Sequence, residues 1–167
     1  MTLATGAGLP VRHLAKGDKP MPTITPSLWF DDDMAEAVKF YTALFPNSSI
    51  EHVDPEMRFM QFVLDGTRFT AINGGAQFPF TEAVSFQIDC ADQDEVDYYW
   101  NALLDGGQES QCGWLKDRYG LSWQVIPNRL FELLADPDPA RAAAAQKAML
   151  DMRKIVIADL EAAAANP

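Results

Sequence analysis

Six polar side chains alternate with apolar ones along three predicted strands, and they are the residues of this sequence best suited to hold a ligand. They are Arg68, Thr70, Ser85, Gln87, Ser122 and Gln124. Successive residues of a strand point to opposite faces, so the intervening residues should be buried. Those residues are Phe69, Ala71, Phe86, Ile88, Trp123 and Val125. The polar face suits a small polar molecule, and Arg68 could bind an anionic or carbonyl group with two hydrogen bonds. The same face could instead be solvated or covered by a second subunit.

The chain offers few groups for catalysis. Cys112 is the one plausible nucleophile, but only Lys116 stands near it in sequence to favour the thiolate, so a small buried residue is the better interpretation. The two histidines, His13 and His52, leave no Ser-His-Asp set, and no glycine-rich phosphate loop is present. The residues therefore indicate binding without pointing to a reaction.

Length and charge limit the class of protein. A chain of 167 residues with 48% hydrophobic content is enough for one domain with its own core. The net charge of -11, without a cluster of Lys or Arg, argues against a nucleic-acid or anionic-membrane partner, and no apolar run is long enough for a spanning helix. Residues 1–21 are expected to form a flexible tail, with Met21 as an alternative start. Cys90 and Cys112 should stay reduced in the cytoplasm.

Hydrophobic periodicity predicts a β-α-β-β-β unit that occurs twice, at about 22–75 and 82–127. The first unit has a strand at 24–30, a helix at 34–45 and strands at 49–53, 59–64 and 68–72. The second has a strand at 84–89, a helix at 92–104 and strands at 109–113, 114–116 and 121–126. Two helices follow at 128–134 and 139–165, and the second carries an apolar stripe of Ala148, Met149, Met152, Ile155, Val156 and Leu160. The expected fold is α+β, one domain over 22–165.

Two offsets in the sequence support an internal duplication. Shifting by 59 residues places 40–45 over 99–104, and shifting by 54 residues places 65–72 over 119–126. The Asp65-Gly66 turn of the first unit also suits a hairpin. Chance similarity between two amphipathic helices and two hairpins is the alternative.

The sequence resembles a known family through several segments. They are 24–30, Ala37-Val38-Lys39-Phe40-Tyr41, Leu44-Phe45-Pro46, Asn73-Gly74-Gly75, 80–86 and Cys112 through Pro127. These segments resemble the PhnB-like branch of the vicinal oxygen chelate superfamily, also called the glyoxalase/bleomycin resistance/dioxygenase fold. Its members are often labelled 3-demethylubiquinone-9 3-methyltransferase. The resemblance implies a cupped mixed sheet around a central cavity, usually in a homodimer, and does not imply a single activity.

Metal-dependent members of the superfamily carry ligands on the first and last strands of each module. The resemblance places Pro26 or Leu28, Thr70, Ala83 or Ser85, and Gln124 at those positions. Only Gln124 could bind a metal there, and a transition metal needs three or four converging donors. Asp89, Cys90 and Cys112 form a conceivable alternative set, but turn and core roles explain them as well. No metal and no cofactor are therefore expected.

The methyltransferase label meets a physical objection. A nucleotide-type cofactor is commonly held by a glycine-rich turn after a strand, where bare backbone can approach it. After Phe30 the chain has Asp31-Asp32-Asp33 instead, which indicates a capped helix start. The leading hypothesis is therefore a homodimer with a polar pocket that binds a small molecule without metal. The alternatives are a metal-dependent enzyme of the glyoxalase/dioxygenase type and the labelled methyltransferase activity.

Overall fold

The computed structural model describes residues 23–167, which fold into two modules and a helical C-terminal segment. The first module consists of β1 (Ser27–Phe30), α1 (Met34–Leu44), β2 (Ser49–Asp54), β3 (Phe59–Leu64) and β4 (Thr67–Asn73). The second consists of β5 (Ser85–Cys90), α2 (Gln93–Leu104), β6 (Gln108–Glu109), β7 (Trp114–Lys116) and β8 (Ser122–Pro127). The C-terminal helices are α3 (Asn128–Leu134), α4 (Pro139–Leu150) and α5 (Ile157–Ala165). The α+β class and the duplicated modules are confirmed.

Each module forms one four-stranded mixed sheet with the same connectivity. The first sheet has the order β1-β4-β3-β2 and the second the order β5-β8-β7-β6. In both, the first strand of the module pairs in parallel with the last one and the other pairs are antiparallel. The predicted turn between β3 and β4 is present, with left-handed φ values of 43° at Asp65 and 75° at Gly66, which a two-residue hairpin turn requires.

The apolar faces of the two sheets share one core with α1 and α2. Phe45, just after α1, stacks on Trp123 of β8 with ring centroids 5.2 Å apart, and Phe69 of β4 meets Phe86 of β5 at the same distance. Because both sheets turn their apolar faces towards this common core, their polar faces point away from it. The two sheets therefore do not close on each other around a polar cavity.

Several predicted elements differ from the structure by one residue at an end, and three differ by more. Strand β1 begins at Ser27 instead of residue 24, and the strand predicted at 109–113 is reduced to Gln108–Glu109. The helix predicted at 139–165 is wrong as a continuous element, because residues 151–156 separate α4 from α5. The predicted N-terminal tail and His13 lie outside the described residues.

The break between α4 and α5 has a physical cause in long-range hydrogen bonds. The carbonyl groups of Met152 and Arg153 accept from the backbone N–H groups of Cys112 and Gly113, at 2.8 and 2.7 Å. Gly113 has a φ of 82°, and a Cβ there would lie 2.7 Å from a methyl group of Ile126. Ile155 from the break is fully buried with Ile126 in a second apolar cluster. The segment leaves the helix because it docks on the edge of the second sheet.

Asp117, in the turn after β7, joins the two modules. The residue is buried, with only 3% of its surface exposed. One carboxylate oxygen accepts from the Tyr41 hydroxyl at 2.7 Å and the Trp123 indole at 2.8 Å. The other accepts from the backbone N–H groups of Tyr119 and Leu121, at 2.9 and 3.0 Å. The carboxylate thereby ties α1 of the first module to the β7–β8 hairpin of the second.

Replacing this carboxylate should be costly. Asp117→Ala would leave four donors without their acceptor inside the core, and we expect the free energy of unfolding to fall by about 3 kcal/mol. Urea denaturation followed by circular dichroism measures the loss. Asp151→Ala is the matched control, since Asp151 is exposed after α4, and it should change stability by less than about 0.5 kcal/mol. Equal midpoints for the two variants would contradict the role of Asp117.

Candidate functional site

Four of the six predicted site residues lie together on the polar face of the second sheet. Ser85 is the Cα partner of Ser122, and Gln87 is the Cα partner of Gln124, across the parallel β5–β8 pair. The Gln124 amide donates to the Ser85 hydroxyl at 2.8 Å. The Gln87 amide donates instead to Asp89 at 2.6 Å. The sequence-based grouping of these four residues on one face therefore corresponds to the geometry.

Ser122 is the unusual member of this group. The residue is 1% exposed, and its hydroxyl oxygen has no hydrogen-bond partner among the described residues. A buried hydroxyl without a partner costs free energy, so such groups are uncommon in native proteins. The hydroxyl therefore has unused hydrogen-bonding capacity, but it is covered, so a ligand can bond to it only after a neighbouring side chain moves aside.

Lys116 is a member of the site that the sequence analysis did not include. It is the Cα partner of Ser122 across the β7–β8 pair, so the two side chains are neighbours on the polar face. Its ammonium forms an ion pair of 2.6 Å with Glu82, and this contact lowers the pKa of the Glu82 carboxyl. The sequence already contained this signal. Across the β7–β8 hairpin Trp114 pairs with Gln124 and Lys116 pairs with Ser122, so Lys116 occupies the same face as the predicted polar residues.

Arg68 and Thr70 lie on the other sheet, on β4, and among the described residues no hydrogen bond or ion pair joins their side chains to the four residues of the second sheet. The guanidinium of Arg68 already binds the Glu51 carboxylate through two nitrogens, with distances of 3.0 and 3.4 Å. Its side chain is 62% exposed. Within one chain, the cation beside the polar cluster is therefore Lys116 rather than Arg68.

Leu28, which the resemblance placed at a ligand position of the first strand, does not face the polar side of the sheet. Leu28 and Phe30 are buried in the core, whereas Trp29 is half-buried on the opposite face together with Ser27. Trp29 is the Cα partner of Ile72, and its indole donates to the carbonyl of Gly75 at 2.8 Å. A Cβ at Gly74 would overlap the Trp29 ring at 1.9 Å. The Asn73-Gly74-Gly75 segment therefore accommodates a tryptophan that covers the outer edge of the first sheet.

A cavity of about 280 Å³ lies beside Lys116, where the segment after β4 meets the β7–β8 hairpin. Its lining combines aromatic, acidic and basic side chains: Trp29, Phe30, Asp31, Asp33, Phe78, Phe80, Lys116 and Tyr119. A second cavity, of about 500 Å³, is lined by residues of both modules, with five aromatic side chains among aliphatic, polar and acidic ones. Of the six predicted residues only Gln87 lines that second cavity. Lys116 thus connects the polar face with the smaller cavity.

The donors do not fit a metal ion. Among residues 23–167, no group of three or more His, Cys, Asp or Glu side chains could hold one. Gln124 supplies one amide at the position implied by the resemblance, and its nitrogen is engaged with Ser85. The alternative ligand set was Asp89, Cys90 and Cys112. Asp89 accepts a hydrogen bond from Gln87. Cys90 is fully buried, and burial is the main cause that raises the pKa of its thiol to about 12.

The acidic segment after β1 does not cap α1 as predicted. Asp33 occupies the N-cap position, but its side chain makes no capping hydrogen bond. The side chain of Asn73 accepts from the backbone N–H of Met34 at 2.9 Å and donates to the carbonyl of Asp32 at 3.1 Å. Asp32 forms an ion pair with Arg58. This tight, non-glycine turn offers no backbone cradle for a nucleotide-type cofactor.

Two β-α-β-β-β modules with this strand order place the protein in the vicinal oxygen chelate fold class. The match to solved structures agrees. PhnB protein from Bacillus cereus is 30% identical with a TM-score of 0.57, and the match covers 64% of this chain and 99% of that one. Protein PA1353 from Pseudomonas aeruginosa is 21% identical with a TM-score of 0.51, covering 64% and 98%.

FosX from Listeria monocytogenes, a fosfomycin resistance protein solved with Mn(II) and sulfate, is 17% identical with a TM-score of 0.50 and covers 70% of this chain and 97% of that one. At this identity the likeness shows the fold alone. The chain belongs to the 3-demethylubiquinone-9 3-methyltransferase family, whose model matches residues 22–126. No curated protein matches the chain. None of the helices between residues 23 and 167 is long and apolar enough to cross a membrane.

The two cysteines should differ in reactivity. The raised pKa of Cys90 keeps its buried thiol neutral at pH 8, whereas Cys112 is partly exposed. We expect a disulfide reagent such as DTNB to modify one thiol per chain in the folded protein and two in denaturant. Cys112→Ser should remove the fast reaction and Cys90→Ser should preserve it. Two fast thiols in the folded protein would contradict the burial of Cys90.

Proposed function

We propose that this protein binds a small polar or anionic molecule on the polar face of β5 and β8, without a metal. The observation that carries the proposal is the cluster of Ser85, Ser122, Gln124 and Lys116, in which one buried hydroxyl has no partner among residues 23–167 and a lysine is its cross-strand neighbour. Hydroxyl, amide and ammonium groups donate hydrogen bonds, so together they favour a ligand that accepts them. Both cysteines are free thiols, which supports a cytoplasmic location.

We further propose that the protein acts as a homodimer in which a second copy covers the polar face of the first sheet. The polar face of the first sheet carries more apolar side chains than the alternation of polar and apolar residues along β4 suggests. Ile72 has Trp29 and Phe59 as its Cα partners, and all three are half-buried. Thr70 and Gln61 form the next row. An apolar row beside a polar one is typical of a surface that packs against another protein. Such packing would also let Arg68 and Thr70 approach a ligand held by the other copy.

Ligand-observed NMR with a panel of small neutral and monoanionic molecules tests the binding proposal. Molecules that bind should do so equally well with and without EDTA, because the donor set does not fit a metal. The double variant Ser85→Ala/Gln124→Ala should weaken binding about tenfold, since it removes two hydrogen-bonding groups from the ligand face. Gln146→Ala on the exposed surface of α4 is the control and should bind as the wild type does. Binding that EDTA abolishes, or that survives the double variant, would contradict the proposal.

The dimer proposal predicts a mass of twice 18.5 kDa in light scattering. Ile72→Glu would place a charge in the apolar row of the covered face, and we expect a folded monomer because a buried unpaired charge is strongly unfavourable at an interface. Val53→Glu is the matched control, because Val53 lies on the same sheet, is exposed and is the Cα partner of the core residue Met60. It should remain dimeric. A monomeric wild type, or a dimeric Ile72→Glu variant, would overturn this part of the proposal.

A further inference from the structure

We infer that the ligand is a monocarboxylate with a small aromatic body. In the absence of ligand, the Glu82 carboxylate occupies the position on Lys116 that the ligand carboxylate would take, and the ligand displaces it. This inference rests on the proposed function, because it names the ligand class and the regulation of the same site. Three observations carry it: a carboxylate of the chain already bound to Lys116, a hydroxyl on the cross-strand neighbour Ser122 that has no partner among the described residues, and a cavity with aromatic side chains whose wall includes Lys116.

The first observation is the nature of the contact between Glu82 and Lys116. Glu82 lies in the segment between β4 and β5, and its side chain is 66% exposed, whereas that of Lys116 is 31% exposed. The ion pair of 2.6 Å shows that a carboxylate fits this ammonium. An exposed ion pair contributes little to stability, because water screens it and both side chains lose freedom. A ligand carboxylate could therefore displace Glu82 without disturbing the fold.

The second observation is the Ser122 hydroxyl. Ser122 faces Lys116 across the β7–β8 ladder, and its oxygen has no partner among residues 23–167. A carboxylate has two oxygens that accept hydrogen bonds. The Ser122 hydroxyl is covered in this structure, so a neighbouring side chain must shift when the ligand displaces Glu82. With one ligand oxygen then on the Lys116 ammonium, the other could accept from Ser122, which Glu82 leaves unbonded. A ligand can thus make a contact that the internal carboxylate does not make.

The third observation is the cavity of about 280 Å³ that has Lys116 in its wall. Its aromatic lining from Trp29, Phe78, Phe80 and Tyr119 favours a flat apolar body. The carboxylates of Asp31 and Asp33 line the same cavity. They would repel a second negative charge on the ligand, so the site favours a monoanion over a dicarboxylate or a phosphate.

Benzoate is the probe, and benzamide is its neutral counterpart. The indole N–H resonance of Trp29, which lines the cavity, reports binding in an NMR titration. We expect Glu82→Gln to bind benzoate about fivefold more tightly than the wild type, because the internal competitor loses its charge. Glu51→Gln is the matched control: it removes the carboxylate partner of Arg68 and should leave the affinity unchanged. Benzamide and phthalate should bind much more weakly than benzoate.

Further variants in the Glu82→Gln background separate binding from folding. Lys116→Met should abolish benzoate binding, Lys116→Arg should preserve it, and Ser122→Ala should weaken it about fivefold. Equal benzoate affinity in the wild type and Glu82→Gln, or an equal gain from Glu51→Gln, would overturn the competitor role. Failure of benzoate to bind either protein would overturn the ligand class. The proposed function itself would survive both results if other panel molecules still lost affinity in Ser85→Ala/Gln124→Ala.

Discussion

The hydrogen bonds that converge on Asp117 are the interaction on which the rest of the structure depends. An ionised carboxylate accepts hydrogen bonds and donates none, so the four donors around it match its capacity. Burial raises the pKa of Asp117, and the bonds from Tyr41, Trp123, Leu121 and Tyr119 oppose that shift. The same environment raises the pKa of Tyr41 well above its usual value, with burial as the main cause. Tyr41 therefore stays a neutral donor, and the contact between the modules persists.

This contact also determines where the polar face points. The bonds to Tyr119 and Leu121 shape the β7–β8 turn, and the bond to Trp123 holds the apolar face of β8 towards α1. With Trp123 turned inwards, its neighbours Ser122 and Gln124 must turn outwards, because alternate residues of a strand occupy opposite faces. The same alternation places Lys116 beside Ser122. A buried acid on the core side thus sets the position of the polar groups on the opposite face of the sheet.

Local patterns in the sequence were enough to predict most of the fold. The Asp65-Gly66 turn depends on residues that are adjacent in the chain, and this prediction is confirmed. In β8, Trp123 and Val125 are buried as the alternation predicts, but Ser122 is buried as well, so Gln124 is the one predicted polar position of this strand that is partly exposed. The duplication could be predicted because a repeat is visible without any knowledge of packing. The four polar residues of the second sheet followed from the same alternation.

The errors arose where distant residues decide the local structure. Trp29 faces outwards because Gly74 and Gly75 leave room for its ring and accept its N–H, which the short apolar sequence of β1 does not reveal. The end of α4 depends on two carbonyl groups that pair with Cys112 and Gly113, about 40 residues earlier in the chain. Arg68 has the right chemistry for an anion, but Glu51 on β2, two strands away in the same sheet, already binds it. No local signal distinguishes such a paired arginine from one that awaits a ligand.

Charge explains why a single lysine can select its ligand in so acidic a protein. A net charge of -11 repels anions at long range, but this repulsion is screened beyond about 8–10 Å at physiological ionic strength. Within that distance the balance is local: Lys116 attracts one carboxylate, and Asp31 and Asp33 oppose any further negative charge. The partly buried setting of Lys116 strengthens its attraction relative to that of an exposed cation such as Arg68. In the proposed site, selectivity for a monoanion would therefore follow from one partly buried ammonium with carboxylates near it, without a positive surface or a metal ion.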